Sequence, residues 1–288
     1  MQRGTSWKSL GVAGLEVASA PWKLWQKAKE LGVWNPAAVD LTRDREDWRR
    51  LAEDERDVLL RLTALFLGGE EAVTVHLLPL VHVIASEGRL EEEMFLTAFL
   101  FEEAKHVDAF HRFVVEVAGG ACDLSRYHSP SWRAIFEEEL PRAMGRLRRD
   151  SSPLAQAEAS ATYNMIVEGV LAETGYHGYH ATLGRHGILP GMQELVSLIK
   201  RDESRHIAYG VHLLSRLAAA GGEEVWAAIQ RRLTQLLPAA IGVIGELFSA
   251  YERMPFGLDL EEFTDYAQRQ FASRVNRIER ARAGAPAS

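Results

Sequence analysis

Apolar residues recur every three or four positions along almost the whole 288-residue chain, and no alternating strand pattern interrupts them. From Asp54 to Ala85 the pattern predicts one long helix with Leu59, Leu62, Phe66, Val73, Leu77 and Leu80 on its apolar stripe. Gly68 and Gly69 lie inside it, each costing about 1 kcal/mol against alanine, which points to close packing or local distortion. A turn at "SEGR" precedes a second helix from Leu90 to Ala118, closed by Gly119 and Gly120. The loop "DLSRYHSPS" leads to a shorter helix ending near Arg149. "SSPLAQAE" supplies a serine cap and a first-turn proline for a third long helix that runs towards Gly184. A fourth opens at "LPGMQELVSLIK" and stops at Gly221–Gly222. Two more, near 222–252 and 259–283, flank "MPFGLD". Long helices with short connections imply an all-α bundle forming one domain over 1–288. Its expected parts are a tryptophan-containing wrapping arm (1–43), the bundle proper (44–252) and a C-terminal helix (253–288).

Two of these helices carry the same word. "FEEAKHVDAF" (101–110) and "RDESRHIAYG" (201–210) each hold two acids, two further residues and a histidine. Residues three apart share a helix face, so Glu103 pairs with His106 and Glu203 with His206. Both pairs stand where the stripe would otherwise continue: Leu96, Leu100, then Phe110, Phe113 in one helix; Leu195, Ile199, then Gly210, Leu213 in the other. Glu70, between Phe66 and Val73, and Glu168, between Met165 and Leu171, do the same. Glu70 lies 33 residues before Glu103 and Glu168 lies 35 before Glu203, so both pairs mark a similar depth in a helical hairpin. Glu71 and Glu102 fall off the stripes and are expected in solvent.

Four glutamates and two histidines therefore converge in the bundle interior. Burying a charge costs several kcal/mol unless it is compensated. No lysine or arginine shares these stripes, so a metal-free polar network would leave the carboxylates repelling one another. Two divalent cations would balance four carboxylates. The arrangement points to a dinuclear metal site.

The remaining composition narrows the setting. A net charge of −7 argues against non-specific nucleic-acid binding. A single cysteine, Cys122, excludes an internal disulfide and suits a reducing cytoplasm. The N-terminus lacks the apolar core of a secretory signal, and no stretch reads as a membrane span. His177 and His180 lie three apart but find no acids in register, so a second metal site is not expected there.

On these residues the chain resembles the ferritin-like superfamily, and more closely the ligand-binding oxidases related to the ribonucleotide reductase small subunit. The resemblance covers most of the chain through "LTRDREDW", "GEEAVT", "FEEAKH", "TYNMIVEG", "TGYHGYH", "ILPGMQELV" and "DESRH". "GEEAV" and "TYNMIVEG" are the discriminating pieces, since the glutamate–histidine spacing alone also occurs in ferritins and desaturases. The resemblance implies a ferritin-like four-helix bundle with additional helices, assembled as a homodimer. It implies manganese at a first site made by Glu70, Glu103 and His106, and iron at a second made by Glu168, Glu203 and His206, although the ligands alone would equally suit iron at both. Glu103 would bridge the two ions, and a long-chain fatty acid's carboxylate would lie across both. Asp202 would orient a ligating histidine, and Tyr176 could hydrogen-bond near the bound ligand. Val73 lies one turn beyond Glu70 on the same stripe. Tyr163, five residues before Glu168, is expected close to the site but rotated around its helix. By spacing alone both are core residues; the resemblance implies an ether bond between them. The function implied is an oxygen-activating oxidase performing two-electron C–H oxidation.

Three other functions share the motif. A radical-generating reductase subunit usually needs a tyrosine one turn after the first histidine, where this chain has Phe110. It also uses an acidic, aromatic-ended tail, which "ARAGAPAS" is not. Iron storage fits poorly with the extra helices and the arm. An acyl desaturase would require a carrier protein.

Overall fold

The computed structural model describes residues 14–120 and 123–284. The start of the arm, Cys122 and the last four residues of the tail lie outside the described residues. All regular elements described are helical, and the architecture is ferritin-like. We label them α1 (Ala20–Leu31), α2 (Thr42–Arg50), α3 (Glu53–His76), α4 (Leu78–Glu87), α5 (Leu90–Arg112), α6 (130–146), α7 (153–184), α8 (Pro190–Phe248) and α9 (Leu260–Gly284). Helices α3, α5, α7 and α8 form the bundle around the acids, with α1 packed across α5 and α8 and α9 against α7 and α8.

Local chemistry explains the boundaries. Ser152 caps α7 by accepting the Ala155 N–H at 3.2 Å, and Gly119 ends the α5 segment in the left-handed region at φ 64°. The single helix expected from Asp54 to Ala85 is two, because Pro79 has no N–H to give and starts a new helix, α4. Gly222 (φ 60°, ψ −146°) is non-helical and kinks α8, dividing it into two helices where the fourth and fifth were expected to meet. Glu53–Glu87 is long and apolar enough, by length and composition, to cross a membrane, which corrects the expectation that no stretch qualifies. Here it is α3 with α4, and α3 buries Phe66, Glu70 and Val73 inside the bundle.

Gly68 serves close packing: a Cβ there would stand 2.8 Å from the His128 ring and 3.0 Å from Trp132. Gly210 does the same between α8 and α7, where a Cβ would meet Asn164 at 2.2 Å. The apolar interior falls into two large clusters. One gathers Val73, Phe95, Phe99 and Tyr163; the other gathers Phe66, Phe110, Tyr176 and Ile199. Each such side chain contributes about 1.5–3 kcal/mol by leaving water. The acids and histidines lie along the seam between the clusters.

Candidate metal centre

Glu70 comes from α3, Glu103 and His106 from α5, Glu168 from α7, and Glu203 and His206 from α8. All six are buried. His106 Nδ1 lies 3.3 Å from Glu203 Oε1, 3.4 Å from Glu70 Oε2 and 3.6 Å from Glu103 Oε2. His206 Nδ1 lies 3.3 Å from Glu103 Oε1, 3.5 Å from Glu203 Oε1 and 3.8 Å from Glu168 Oε1. The donor atoms form two overlapping groups, Glu70–Glu103–His106–Glu203 and Glu103–Glu168–His206, each within 4.8 Å. Glu103 belongs to both, as a bridging carboxylate must. Glu203, expected with His206, is nearly equidistant from the two histidines and falls in the first group.

Both imidazoles point Nδ1 inward and Nε2 outward. His206 Nε2 meets Glu102 Oε2 at 2.8 Å, and His106 Nε2 meets Asp202 Oδ2 at 3.4 Å. A proton held on Nε2 by these carboxylates leaves the Nδ1 lone pair free for a cation. Glu103 Oε2, Glu168 Oε1, Glu203 Oε2, His106 Nδ1 and His206 Nδ1 are buried without any hydrogen-bond partner. Orphaned oxygens and imidazole nitrogens facing one another are the donor set that divalent iron or manganese takes.

The electrostatics agree. Burial, followed by the neighbouring carboxylates, pushes Glu168 well above its usual range, and burial raises Glu70 likewise. Burial opposes ionisation of Glu103 too, but the His106 and His206 rings beside it hold it low. Both histidines are raised well above their usual value: burial works against this, and the acids around them overcome it. Without metal, these directions favour protonation at the same acids and histidines.

Three expectations need correction. Glu102 is not in solvent: it is 1% exposed and holds His206. Two cations are buried close by, although off the stripes. Arg205 Nη2 donates to Glu102 Oε1 and Asp202 Oδ1, both at 2.5 Å, and Lys105 Nζ reaches Asp202 Oδ2 at 3.0 Å. Tyr163 is not rotated away. Residues 161–172 are π-helical, and i→i+5 hydrogen bonding brings residues five apart towards one face. The Tyr163 hydroxyl consequently lies 3.3 Å from Glu103 Oε1 and 3.3 Å from the Val73 carbonyl.

Asp202 also accepts the Trp34 Nε1–H at 2.7 Å, tying the arm to the centre. Asn164 donates to Glu168 Oε2 at 2.9 Å. The Tyr176 hydroxyl is buried without a partner, its ring stacked 4.9 Å from Phe66. His177 binds Glu262 of α9 at 3.0 Å and stacks on Tyr266; no other cluster of metal-binding type occurs among the described residues. The missed residues were legible in the repeated word. Its fuller form is acid–Glu–x–cation–His, and the first acid of each copy holds the histidine of the other.

A cavity of about 100 Å³ opens on Glu70, Glu103, Glu168 and Glu203 and runs on past apolar side chains to Phe248 and Phe263. The two threonines in its wall already donate to backbone carbonyls, Thr174 to Val170 and Thr182 to Gly178. The wall offers no free polar side chain beyond the acids.

A helical bundle with inward glutamates and histidines on four helices defines the ferritin-like dinuclear carboxylate class. The description "Ribonucleotide reductase, small chain" matches residues 19–278, and the chain belongs to that family. Within it, the chain is similar to solved R2-like ligand-binding oxidases. One with aerobically reconstituted Mn/Fe cofactor (long soak) is 35% identical, with a TM-score of 0.90 over 96% of this chain and 98% of that one. A tyrosine-to-phenylalanine variant with the Mn/Fe cofactor is 36% identical, with a TM-score of 0.89 over 96% and 98%. A glycine-to-leucine variant carries an Fe/Fe cofactor at 35% identity and a TM-score of 0.91, again over 96% and 98%. The protein is an oxidoreductase with a dinuclear metal cofactor.

Proposed function

We propose that this protein is an oxygen-activating oxidase that binds a long-chain fatty acid at its metals and carries out two-electron C–H oxidation. The observation that carries this reading is the meeting of the four glutamates with a cavity walled by apolar side chains. Glu70, Glu103 and His106 would hold the first ion, manganese, and Glu168, Glu203 and His206 the second, iron. Glu103, which belongs to both donor groups, would be shared between the ions, and Glu203 stands near both histidines. When bound, the metal pair supplies two oxidising equivalents drawn from dioxygen.

The chain's own residues do the rest. Four carboxylates balance two divalent ions, so with both ions at +3 two positive charges would remain, which a ligand carboxylate together with a hydroxide or oxide would offset. The cavity wall excludes water and gives an alkyl tail nothing to hydrogen-bond. The partnerless Tyr176 hydroxyl would donate near the bound ligand's head group. Asp202 and Glu102 keep the Nε2 protons of His106 and His206 in place. Val73 and Tyr163 face the same centre, and an ether between the Tyr163 oxygen and the Val73 β-carbon is the expected self-oxidation. It removes one hydrogen from each side chain, and the two electrons pass to the oxidised centre. A homodimer is the assembly that accords with the resemblance.

Aerobic loading with manganese and iron, followed by tryptic mapping, tests the reading. The expected product is one peptide joining the Val73 and Tyr163 segments, lighter than their sum by two hydrogens. Tyr163→Phe keeps both metals and forms no link. Recovery of only unlinked peptides from wild type overturns the cross-link, and a metal-loaded sample free of stoichiometric lipid overturns the fatty acid. The radical-subunit reading has less support: Phe110, one turn beyond His106, stacks on Phe66 at 5.0 Å and brings no phenol to the site.

A further inference from the structure

Beyond Phe99, and outside the lining of the cavity, a second polar group is sealed in the core. Tyr209 lies three residues after His206 on α8 and is fully buried. Its hydroxyl donates to Glu92 Oε2 at 3.1 Å, and Glu92, on α5, is itself buried. Arg216 meets Glu92 at 3.3 Å, Arg89 at 3.5 Å and His212 at 3.9 Å. These three cationic or protonatable side chains are partly exposed, so Glu92 is the inner end of a polar route to the surface.

Aromatic rings span the interval between Tyr209 and the centre. The Tyr209 ring lies 5.4 Å from Phe95, Phe95 lies 6.0 Å from Phe99, and Phe99 stacks on His206 at 3.6 Å with planes 15° apart. Phe99 also contacts Tyr163 edge-on at 5.9 Å. The backbone of α8 joins His206 and Tyr209 by a second, covalent path. A buried phenol needs a hydrogen-bond partner, and a buried carboxylate is a costly one to supply if packing were the only task.

We propose that Tyr209 is a one-electron donor to the dioxygen-oxidised metal centre, with Glu92 taking its proton. The Tyr209 O–H bond breaks, the proton moves to Glu92 Oε2, and the electron reduces the centre by one equivalent. A neutral phenoxyl remains, and an external reductant with a proton restores the phenol. Glu92 is suited to the task because, although burial opposes it, His212 and Arg216 keep it ionised. The arrangement places a single oxidising equivalent on a buried phenol whose proton has a polar route to the surface.

This inference rests on the oxidase reading, and the test separates the two. The full-length Tyr163→Phe protein, which cannot spend its equivalents on the ether, is loaded with manganese and iron and exposed to air. Optical absorption reads oxidation of the centre, and electron paramagnetic resonance of freeze-quenched samples reads the radical. The expected result is a tyrosyl signal that narrows with ring-deuterated tyrosine and is lost in Tyr163→Phe/Tyr209→Phe, with both metals retained. Glu92→Gln in the same background keeps the tyrosine and its packing but removes the proton acceptor, and it lowers the signal per oxidised centre. A purely structural Glu92 would change the melting temperature and leave that ratio alone. An oxidised centre without a tyrosyl signal, or a signal that survives Tyr209→Phe, overturns the proposal and leaves the oxidase reading standing. A loaded centre that air does not oxidise overturns both.

Discussion

Two sets of buried carboxylates stand within one bundle and are balanced in different ways. Glu102 and Asp202 share the Arg205 guanidinium, and Lys105 and Trp34 complete Asp202. Glu70, Glu103, Glu168 and Glu203 have histidines among them but no lysine or arginine, and three of the four keep an oxygen with no partner. The outer set is complete as the chain folds. The inner set waits for cations from outside. Buried charge is tolerated in both places, and the difference in partners separates scaffold from site.

The largest effect follows from breaking the outer set. Arg205→Met leaves Glu102 and Asp202 short of their shared cation in the core. Removing one partner of a buried pair costs about 3–5 kcal/mol, and here the loss is expected with or without metal. Denaturant unfolding of metal-free and metal-loaded samples measures it. A loss seen only in loaded protein would place Arg205 with the inner set instead.

Breaking the inner set has the opposite dependence. Removing the metals should lower apparent stability by about 4 kcal/mol for each site whose free metal stands a thousandfold above its Kd. Glu203→Ala and His206→Ala should each lose the second metal, read by elemental analysis; two metals per chain in either variant would refute the ligand assignment. Glu168→Gln sharpens the contrast. It should weaken metal retention yet leave the metal-free protein unchanged or up to about 1 kcal/mol more stable, because it removes an acid with no protein cation. Equal destabilisation of both forms would contradict the comparison.

The two sets were not equally legible in the sequence. Glu70, Glu103, His106, Glu168, Glu203 and His206 interrupt apolar stripes, and periodicity finds such interruptions directly. Glu102, Lys105 and Arg205 sit off those stripes, where periodicity assigns them to solvent; the arm and the neighbouring helix, joined by no local pattern, are what cover them. Tyr163 lies close to the site as expected, but its direction was misjudged because a constant α-helical period was applied to a segment that is π-helical. The break at Pro79 was readable from proline chemistry and lost in a long apolar run. Trp34 shows the limit most plainly: it meets Asp202 across 168 residues of chain, and no periodic pattern extends over that distance.

The smallest effect is one of pH, and the two sets give it opposite signs. In metal-free protein, burial holds Glu70 and Glu168 above the ordinary 4.5, and surrounding acids, against burial, hold His106 and His206 above the ordinary 6.5. Each binds a proton in the folded state that the unfolded chain has released, so stability falls as pH rises above those ordinary values. Asp202 moves the other way: against burial, His106, Lys105 and Arg205 hold it below 3.8. Its contribution is present above 3.8 and is lost as pH falls through its folded value. Of the two sets, only the inner one titrates in a window above the carboxylate range; His76 and His128, held low by burial, add an opposing slope there. Each net proton carries about 1.4 kcal/mol per pH unit, so the metal-free melting temperature should fall between about pH 5 and about pH 8. Bound metal displaces those protons and competes with them, so the loaded protein should show a flat or rising profile over the same window. Paired melting curves at several pH values decide it. A metal-free protein that grows more stable across the window would mean that the inner carboxylates and histidines do not hold protons in place of metal.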